Sequence, residues 1–151
     1  MRPHEKLDVW KKAIDFVLIV YEETQSLPKD EKFGLTAQIR RAAVSIPANI
    51  AEGAARKSTK EFANFLSIAQ GSASEVETEL LIAHRLGYLD EAAYRKLRSE
   101  VDDIGRMITG LSQYLKNKTS RFVTRHGSRF EFFITRIHNL SRFTVHDSPV
   151  S

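Results

Sequence analysis

The sequence contains no cysteine. This absence excludes a disulfide scaffold, a thiolate zinc site and a cysteine nucleophile. No stretch approaches the ~18 consecutive apolar residues that a bilayer-spanning helix needs, and residues 1–8 lack the apolar run of a secretory signal. We therefore expect a soluble, cytoplasmic protein that makes no contact with a membrane.

Glycine and proline are also scarce, with seven and four occurrences in 151 residues. Because both residues interrupt helices, their scarcity favours long helical segments. Within residues 1–118, apolar side chains recur every three or four positions in four segments, which is the spacing of one helix face. Short connections separate these segments. The sequence therefore predicts an all-α fold, an antiparallel up-down four-helix bundle.

Local signals place the ends of these helices. The first should end at Leu27, which precedes a proline, and Asp30 is a plausible N-cap for the second, which would then include Phe33. Residues 58–61 (Ser-Thr-Lys-Glu) match a capping box that starts the third helix. Gly87 is expected to close the third helix, and Asp90 to start the fourth.

The first predicted helix has a wider apolar surface than one bundle face needs. Phe16, Ile19 and Val20 form a second flank beside its main stripe. Monomers seldom leave such a surface uncovered, so the flank predicts docking of subunits or of another protein.

The composition changes near Lys118. Residues 119–151 hold five arginines against Glu131 and Asp147, a net charge of +3, with no lysine and five of the nine phenylalanines. We therefore separate a bundle domain, residues 1–118, from a basic, phenylalanine-rich C-terminal extension, residues 119–151. We expect the extension to be partly disordered, although phenylalanines packed on the bundle would have the same composition.

Motifs for catalysis are missing. The sequence has no Gly-x-Gly-x-x-Gly, no P-loop, no Gly-x-Ser-x-Gly and no Glu-x-x-His. Glu75 and Glu79 share a helix face, but such pairs usually lie in solvent. We expect no enzyme activity, no cofactor and no metal.

Basic residues are the better candidates for function. Arg40 and Arg41 point about 100° apart on a helix, so only one of them can face the core. A second group lies where the third helix starts, a favourable place for phosphate, although an ordinary solvated turn is the alternative. Arginines interleaved with phenylalanines in the extension could contact RNA phosphates and unpaired bases. The predicted nucleic-acid-binding residues are Arg40, Arg41, Arg56, Lys57, Lys60, Arg121, Arg125 and Arg129.

A polar stripe and a run of small residues suggest a close helix crossing. Ser45, Asn49 and Glu52 fall on one face of the second helix, and residues 71–74 (Gly-Ser-Ala-Ser) lie in the middle of the third. A glycine inside a helix costs roughly 1 kcal/mol, which is reasonable where another helix passes closely. We expect Asn49 or Glu52 to reach polar groups of the third helix.

At these residues the sequence resembles a bacterial family, the 23S rRNA intervening-sequence proteins. The matching strings are LDVW at residues 7–10, QIRRAAVSIPANIAEG at 38–53, FANFLSIA at 62–69 and GSASEVETEL at 71–80. The resemblance covers roughly residues 5–118.

The resemblance implies a ring-shaped homopentamer without an established catalytic activity. A related branch, the accessory protein of diversity-generating retroelements, binds a reverse transcriptase and nucleic acid through a basic surface, which on this chain points to Arg40, Arg41, Arg56 and Lys57. The first hypothesis is a non-enzymatic homo-oligomer that binds RNA or another nucleic acid. The alternative is a scaffold that docks a partner protein and has no direct role with nucleic acid.

Overall fold

The computed structural model describes the backbone of residues 2–140 and the side chains of residues 2–118. Four α-helices account for most of this range: α1 (Asp8–Glu23), α2 (Leu35–Ala54), α3 (Thr59–Arg85) and α4 (Glu91–Leu140). Short 3₁₀ turns occupy Pro3–Lys6, Thr24–Ser26 and Lys29–Lys32, and the described residues contain no strand. The all-α prediction is confirmed.

Apolar side chains from all four helices form one core. Phe16 of α1 and Leu66 of α3 are completely buried, and each lies among residues contributed by the other helices. The amphipathic spacing of the sequence places these side chains on inward faces, and their burial supplies the main stabilising free energy. The largest fully buried side chains are Phe16, Val20, Ile39, Ile46, Ile50, Leu66, Val76, Leu80, Leu89, Leu97, Ile104 and Ile108.

The predicted helix caps of α3 and α4 are confirmed. Ser58 Oγ accepts a hydrogen bond from the Glu61 backbone N–H at 3.2 Å, and the Ser58 hydroxyl donates a hydrogen bond to the Glu61 carboxylate. Gly87 has φ of +76°, the left-handed conformation that ends many helices, and Asp90 Oδ1 accepts the Ala93 N–H at 2.7 Å. Local polar chemistry was therefore sufficient to locate these ends.

The predicted start of α2 is wrong. Asp30 lies in a 3₁₀ turn, and α2 begins at Leu35 after Gly34. The Glu31 carboxylate accepts the Leu35 N–H at 2.9 Å and thereby satisfies one of the free amides of the helix start. A side chain at Gly34 would collide with that carboxylate. Phe33 consequently precedes the helix and is 87% exposed.

The predicted docking flank on α1 is also wrong. Phe16 and Val20 are fully buried, and Ile19 is partly buried against the core. These α1 side chains belong to the same core as residues of α2, α3 and α4, so the wide apolar surface is used within the chain. Its exposed apolar side chains are Leu18, at 64% exposure, and Tyr21.

The chain divides into two units, Met1–Leu115 and Lys116–Ser151. The helical backbone of α4 continues to Leu140 rather than losing its helical character after Lys118. No proline interrupts residues 91–140, so no backbone N–H is missing from this stretch. Residues 141–151 lie outside the described part, and the boundary at residue 118 stays a prediction.

Candidate nucleic-acid interface

The turn between α2 and α3 carries three exposed cations, Arg56, Lys57 and Lys60. Arg56 Nη2 pairs with Glu52 Oε1 at 2.5 Å, and its guanidinium lies 4.8 Å from the centre of the Phe65 ring. These contacts orient Arg56 but leave it in solvent, where an ion pair contributes little to stability. Lys57 and Lys60 add two exposed positive charges beside it, so the turn is cationic.

Gly53 determines how closely this turn approaches α3. A Cβ added to Gly53 would lie 2.7 Å from Phe62 Cδ2 and 2.7 Å from Phe65 Cβ. Only glycine therefore lets the end of α2 pack against the first turns of α3. The position of the cationic turn depends on this contact.

The other predicted pair, Arg40 and Arg41, diverges as its spacing predicts. Arg40 is half-buried; its Nε–H donates to Thr24 Oγ1 at 2.9 Å, and its guanidinium lies 4.6 Å from the centre of the Tyr21 ring. Arg41 is exposed. Thr24 in turn donates to the Val20 carbonyl oxygen at 2.7 Å, which anchors Arg40 to the end of α1.

The predicted basic residues do not form one patch within a single chain. Arg41 lies 13 positions before the end of α2 at Ala54, which corresponds to about 20 Å of helix, and Arg56 follows in the turn beyond that end. Arg40 and Arg41 lie beside the end of α1, whereas Arg56, Lys57 and Lys60 lie at the other end of α2. The side chains of Arg121, Arg125 and Arg129 lie outside the described side chains.

The structure corrects the predicted crossing of α2 and α3. Ser45 Oγ and Ser72 Oγ share a hydrogen bond of 2.9 Å, so Ser45 makes the contact expected of Asn49 or Glu52. Asn49 Nδ2 donates back to the Ser45 carbonyl oxygen at 2.8 Å, and Glu52 is engaged by Arg56. Two short hydroxyl side chains fit the narrow crossing, whereas the longer amide folds along its own helix.

Glu79 was expected to lie in solvent, and that expectation is wrong. Its Oε2 is buried without a hydrogen-bond partner among the described residues. Burial, with a smaller contribution from repulsion by Glu75, raises the pKa of Glu79 to about 7, although Arg41 opposes the shift. Residue spacing alone could not show this, because burial depends on what α3 packs against.

A polar crevice of about 440 Å³ separates α3 from α4 and contains Glu77, Asp102 and Gln70. Burial and then a hydrogen bond with Asp102 raise the pKa of Glu77, while the charge of Arg98 opposes the shift. Gln70 Oε1 is buried and has no partner in the described part of the chain.

Two further observations concern metals and membranes. Across the residues that the structure describes, no group of three or more histidine, aspartate or glutamate side chains is arranged to hold a metal ion. The same part of the chain has no helix of sufficient length and apolar character to cross a membrane. His84 is occupied by structural contacts: it stacks on the Tyr94 ring at 4.5 Å and lies 3.1 Å from Glu91 Oε2.

Sequence reasoning missed one feature near Arg40 and Arg41. Lys32, Phe33 and Tyr21 line a groove together with these arginines, with a volume of about 500 Å³. The signal was hidden because Phe33 was assigned to the helix and counted with its apolar face. Because α2 starts at Leu35, Phe33 lies in the turn before the helix and faces the groove instead of the apolar face of α2.

Comparison with known proteins agrees with the fold. A crystal structure of a protein of unknown function from the S23 ribosomal protein family of Bacteroides thetaiotaomicron VPI-5482 is similar, with a TM-score of 0.65 and 27% sequence identity. The similarity covers 69% of this chain and 97% of that one. No curated protein matches the chain.

The family comparison extends over most of the helical core. The family described as 23S rRNA-intervening sequence protein matches residues 5–110, which include α1, α2, α3 and the buried first part of α4. The match contains Arg40, Arg41 and the α2–α3 turn, and it ends before the extension. The chain belongs to the 23S rRNA-intervening sequence protein family.

Proposed function

We propose that this protein is a non-enzymatic, self-associating up-down bundle in the cytoplasm that binds RNA or another nucleic acid. The observation that carries the proposal is the cationic turn between α2 and α3, where Arg56, Lys57 and Lys60 are all exposed. Backbone amides at the start of α3 add to the positive field of these side chains. Phosphates are the ligands that this combination favours.

The up-down arrangement is supported by pairs of residues on successive helices. Ser45 of α2 bonds to Ser72 of α3, and near their connection Gly53 lies against Phe62. His84, at the end of α3, stacks on Tyr94, at the start of α4. Moving back along α2 from Gly53 to Ser45 moves forward along α3 from Phe62 to Ser72, as antiparallel neighbours require.

Self-association would multiply the charge of the turn. Apolar side chains remain exposed on α3, most clearly Ile68 and Ile82, at 51% and 45% exposure, and a second copy could cover them. In the homopentameric ring that the family resemblance suggests, five copies of the turn would form a continuous basic belt. Such a belt would attract nucleic acid far more strongly than one turn.

A second candidate is a scaffold that binds a partner protein, for example a reverse transcriptase. The exposed apolar residues on α3 favour this candidate, because hydrophobic docking does not need the basic turn. The two candidates differ in their response to salt, since only phosphate contacts make the logarithm of affinity fall linearly with the logarithm of salt concentration.

The test is a fluorescence anisotropy titration of labelled large-subunit rRNA hairpins with the full chain, at two salt concentrations. The triple variant Arg56→Gln, Lys57→Gln and Lys60→Gln should bind more weakly and with a salt slope smaller by about 2 to 3, at roughly 0.9 per lost phosphate contact. A matched control removes three exposed cations elsewhere, Lys6→Gln, Lys29→Gln and Arg85→Gln.

The control separates a local site from overall charge. Both triple variants lose three charges, so equal weakening would overturn the turn as the binding site. Absence of binding by the parent protein would overturn the nucleic-acid function and make the scaffold the leading candidate.

A further inference from the structure

The groove beside the end of α1 combines an exposed ring with positive charge. Its volume is about 500 Å³, and its lining includes Tyr21, Lys32, Phe33, Arg40, Arg41 and Val44. None of its lining residues carries a carboxylate. The groove therefore suits a ligand that is both planar and anionic.

Phe33 is the most exposed large apolar side chain of the described residues, at 87%. Its backbone position is well defined, because the 3₁₀ turn before it ends in a hydrogen bond from Gly34 N to Glu31 O at 3.0 Å. The Glu31 carboxylate is occupied by the Leu35 N–H and so is directed to the helix start. The turn thus presents an apolar ring to solvent and keeps the adjacent acidic group engaged.

The cations are arranged around this ring. Lys32 Nζ lies 5.5 Å from the centre of the Phe33 ring. Arg40 is anchored by Thr24 and lies over the Tyr21 ring; Tyr21 is 43% exposed against 87% for Phe33, so Phe33 is the more accessible ring for stacking. Arg40 donates two hydrogen bonds, to Thr24 Oγ1 and to the Tyr21 carbonyl oxygen. These use two of its five guanidinium N–H groups, and the other three can bind an anion. Arg41 adds an exposed charge on the next position of α2.

We propose that the groove binds single-stranded nucleic acid, with an unpaired base stacked on Phe33 and the neighbouring phosphates held by Lys32 and Arg41. This inference rests on the proposed nucleic-acid function and adds a second site, about one helix length from the α2–α3 turn. Stacking on an aromatic ring requires no particular base, whereas a duplex hides its base faces. The groove therefore confers a preference for unpaired strands that the turn does not.

Charge argues against the chain's own extension as the occupant of this groove. Residues 119–151 carry a net charge of +3, so the cations of the groove would repel them. A phosphodiester strand instead brings one negative charge per nucleotide and a planar base with each.

The experiment measures anisotropy of a short labelled oligoadenylate, of an abasic oligomer of the same length and of an rRNA duplex, each with the full chain. Phe33→Ala should weaken oligoadenylate binding about tenfold and leave the abasic oligomer unchanged, because base stacking is lost and phosphate contacts remain. Arg41→Gln should weaken both oligomers and reduce the salt slope by about 0.7. Tyr114→Ala removes another exposed ring, on α4, and should change nothing.

The outcomes distinguish this site from the proposed function. If Phe33→Ala binds oligoadenylate as the parent does, or if the abasic oligomer binds as tightly as oligoadenylate, the groove proposal is overturned while binding of the duplex through the turn can stand. Loss of all binding in the α2–α3 turn variant, with no effect of Phe33→Ala, also overturns the groove. A smaller particle for Phe33→Ala in light scattering would assign the ring to a contact between copies and overturn the proposal.

Discussion

The contact of α2 with α3 and the contact of α1 with α4 are built differently. The α2–α3 contact depends on small groups: Gly53 admits Phe62, and Ser45 meets Ser72. The α1–α4 contact has charged pairs at its margin, with Lys12 Nζ 2.8 Å from Glu100 Oε2 and Lys96 Nζ 2.8 Å from Glu23 Oε1.

The α2–α3 contact is specified by the shape of its packed groups, whereas the margin of the α1–α4 contact is specified by charge. A close crossing of backbones fails when a single methyl group is added, because packed interiors have little space to relax. Exposed ion pairs are exchanged for water at small cost and weaken in salt. We therefore expect the α2–α3 contact to determine the geometry of the bundle, and the ion pairs of α1 and α4 to adjust it.

The largest expected effect is that of Gly53→Ala. Its Cβ would lie 2.7 Å from Phe65 Cβ, which cannot move without displacing the backbone of α3. We expect a loss of about 1 to 3 kcal/mol in the free energy of unfolding, the usual range for overpacking. Urea denaturation followed by circular dichroism measures this loss.

Gly71→Ala is the matched control, because Gly71 also lies inside a helix but a Cβ there meets nothing within 4 Å. It should stabilise the protein by about 0.5 to 1 kcal/mol through helix propensity alone. Similar effects of the two substitutions would contradict the importance of the close approach at Gly53.

The second prediction concerns pH and Glu79, a partly buried carboxyl of α3 with one buried oxygen. Its pKa is raised to about 7 from 4.5, so between these values the folded protein holds a proton that the unfolded chain releases. Stability contributed by this group is therefore lost as pH rises from about 4.5 to 7. Glu79→Gln should stabilise the protein at pH 8, on the order of 1 to 2 kcal/mol after allowance for solvent near the side chain, and have little effect at pH 4.5.

Urea midpoints at these two pH values measure the effect of Glu79. Glu75→Gln should give a smaller stabilisation of the same sign at pH 8, because its repulsion is the lesser cause of the shift. Parallel pH profiles of the parent and Glu79→Gln would show that this carboxyl is charged and well solvated.

The smallest expected effect is that of Lys12→Gln on the α1–α4 side. The hydrogen bond that Lys12 donates to Glu100 is the main cause that raises the pKa of Lys12, and Asp103 lies 3.6 Å from the same nitrogen. We expect a loss of about 0.2 to 1 kcal/mol that shrinks in about 1 M salt. Lys11→Gln is the control, since Lys11 has only an exposed contact with Asp8 at 3.5 Å. A loss as large as that of Gly53→Ala would remove the contrast between the two contacts.

The helix caps show which local features the sequence predicts and which it does not. Ser58, Gly87 and Asp90 were identified as cap residues because a cap involves only residues a few positions apart. Asp30 has the same carboxylate as Asp90, yet it is Glu31 that caps α2. Which of the two acidic residues caps the helix depends on Gly34, because a side chain there would meet the Glu31 carboxylate. Phe33 was placed inside the helix because Asp30 was taken as its N-cap, whereas α2 starts at Leu35.

Periodicity and capping chemistry alone determined the helical class, the identity of most core positions and two of the helix starts, because these features depend on neighbours within one or two turns. The strings that resemble the family, such as the one at residues 38–53, were not needed for that step; they pointed to the family. Tertiary packing decided that the α1 flank is buried, that Ser45 rather than Asn49 meets α3, and that one carboxylate oxygen of Glu79 is buried. It also placed Phe33 among cations and separated Arg41 from Arg56. Each of these outcomes depends on which helix lies opposite, and that is a property of the assembled core rather than of any single segment.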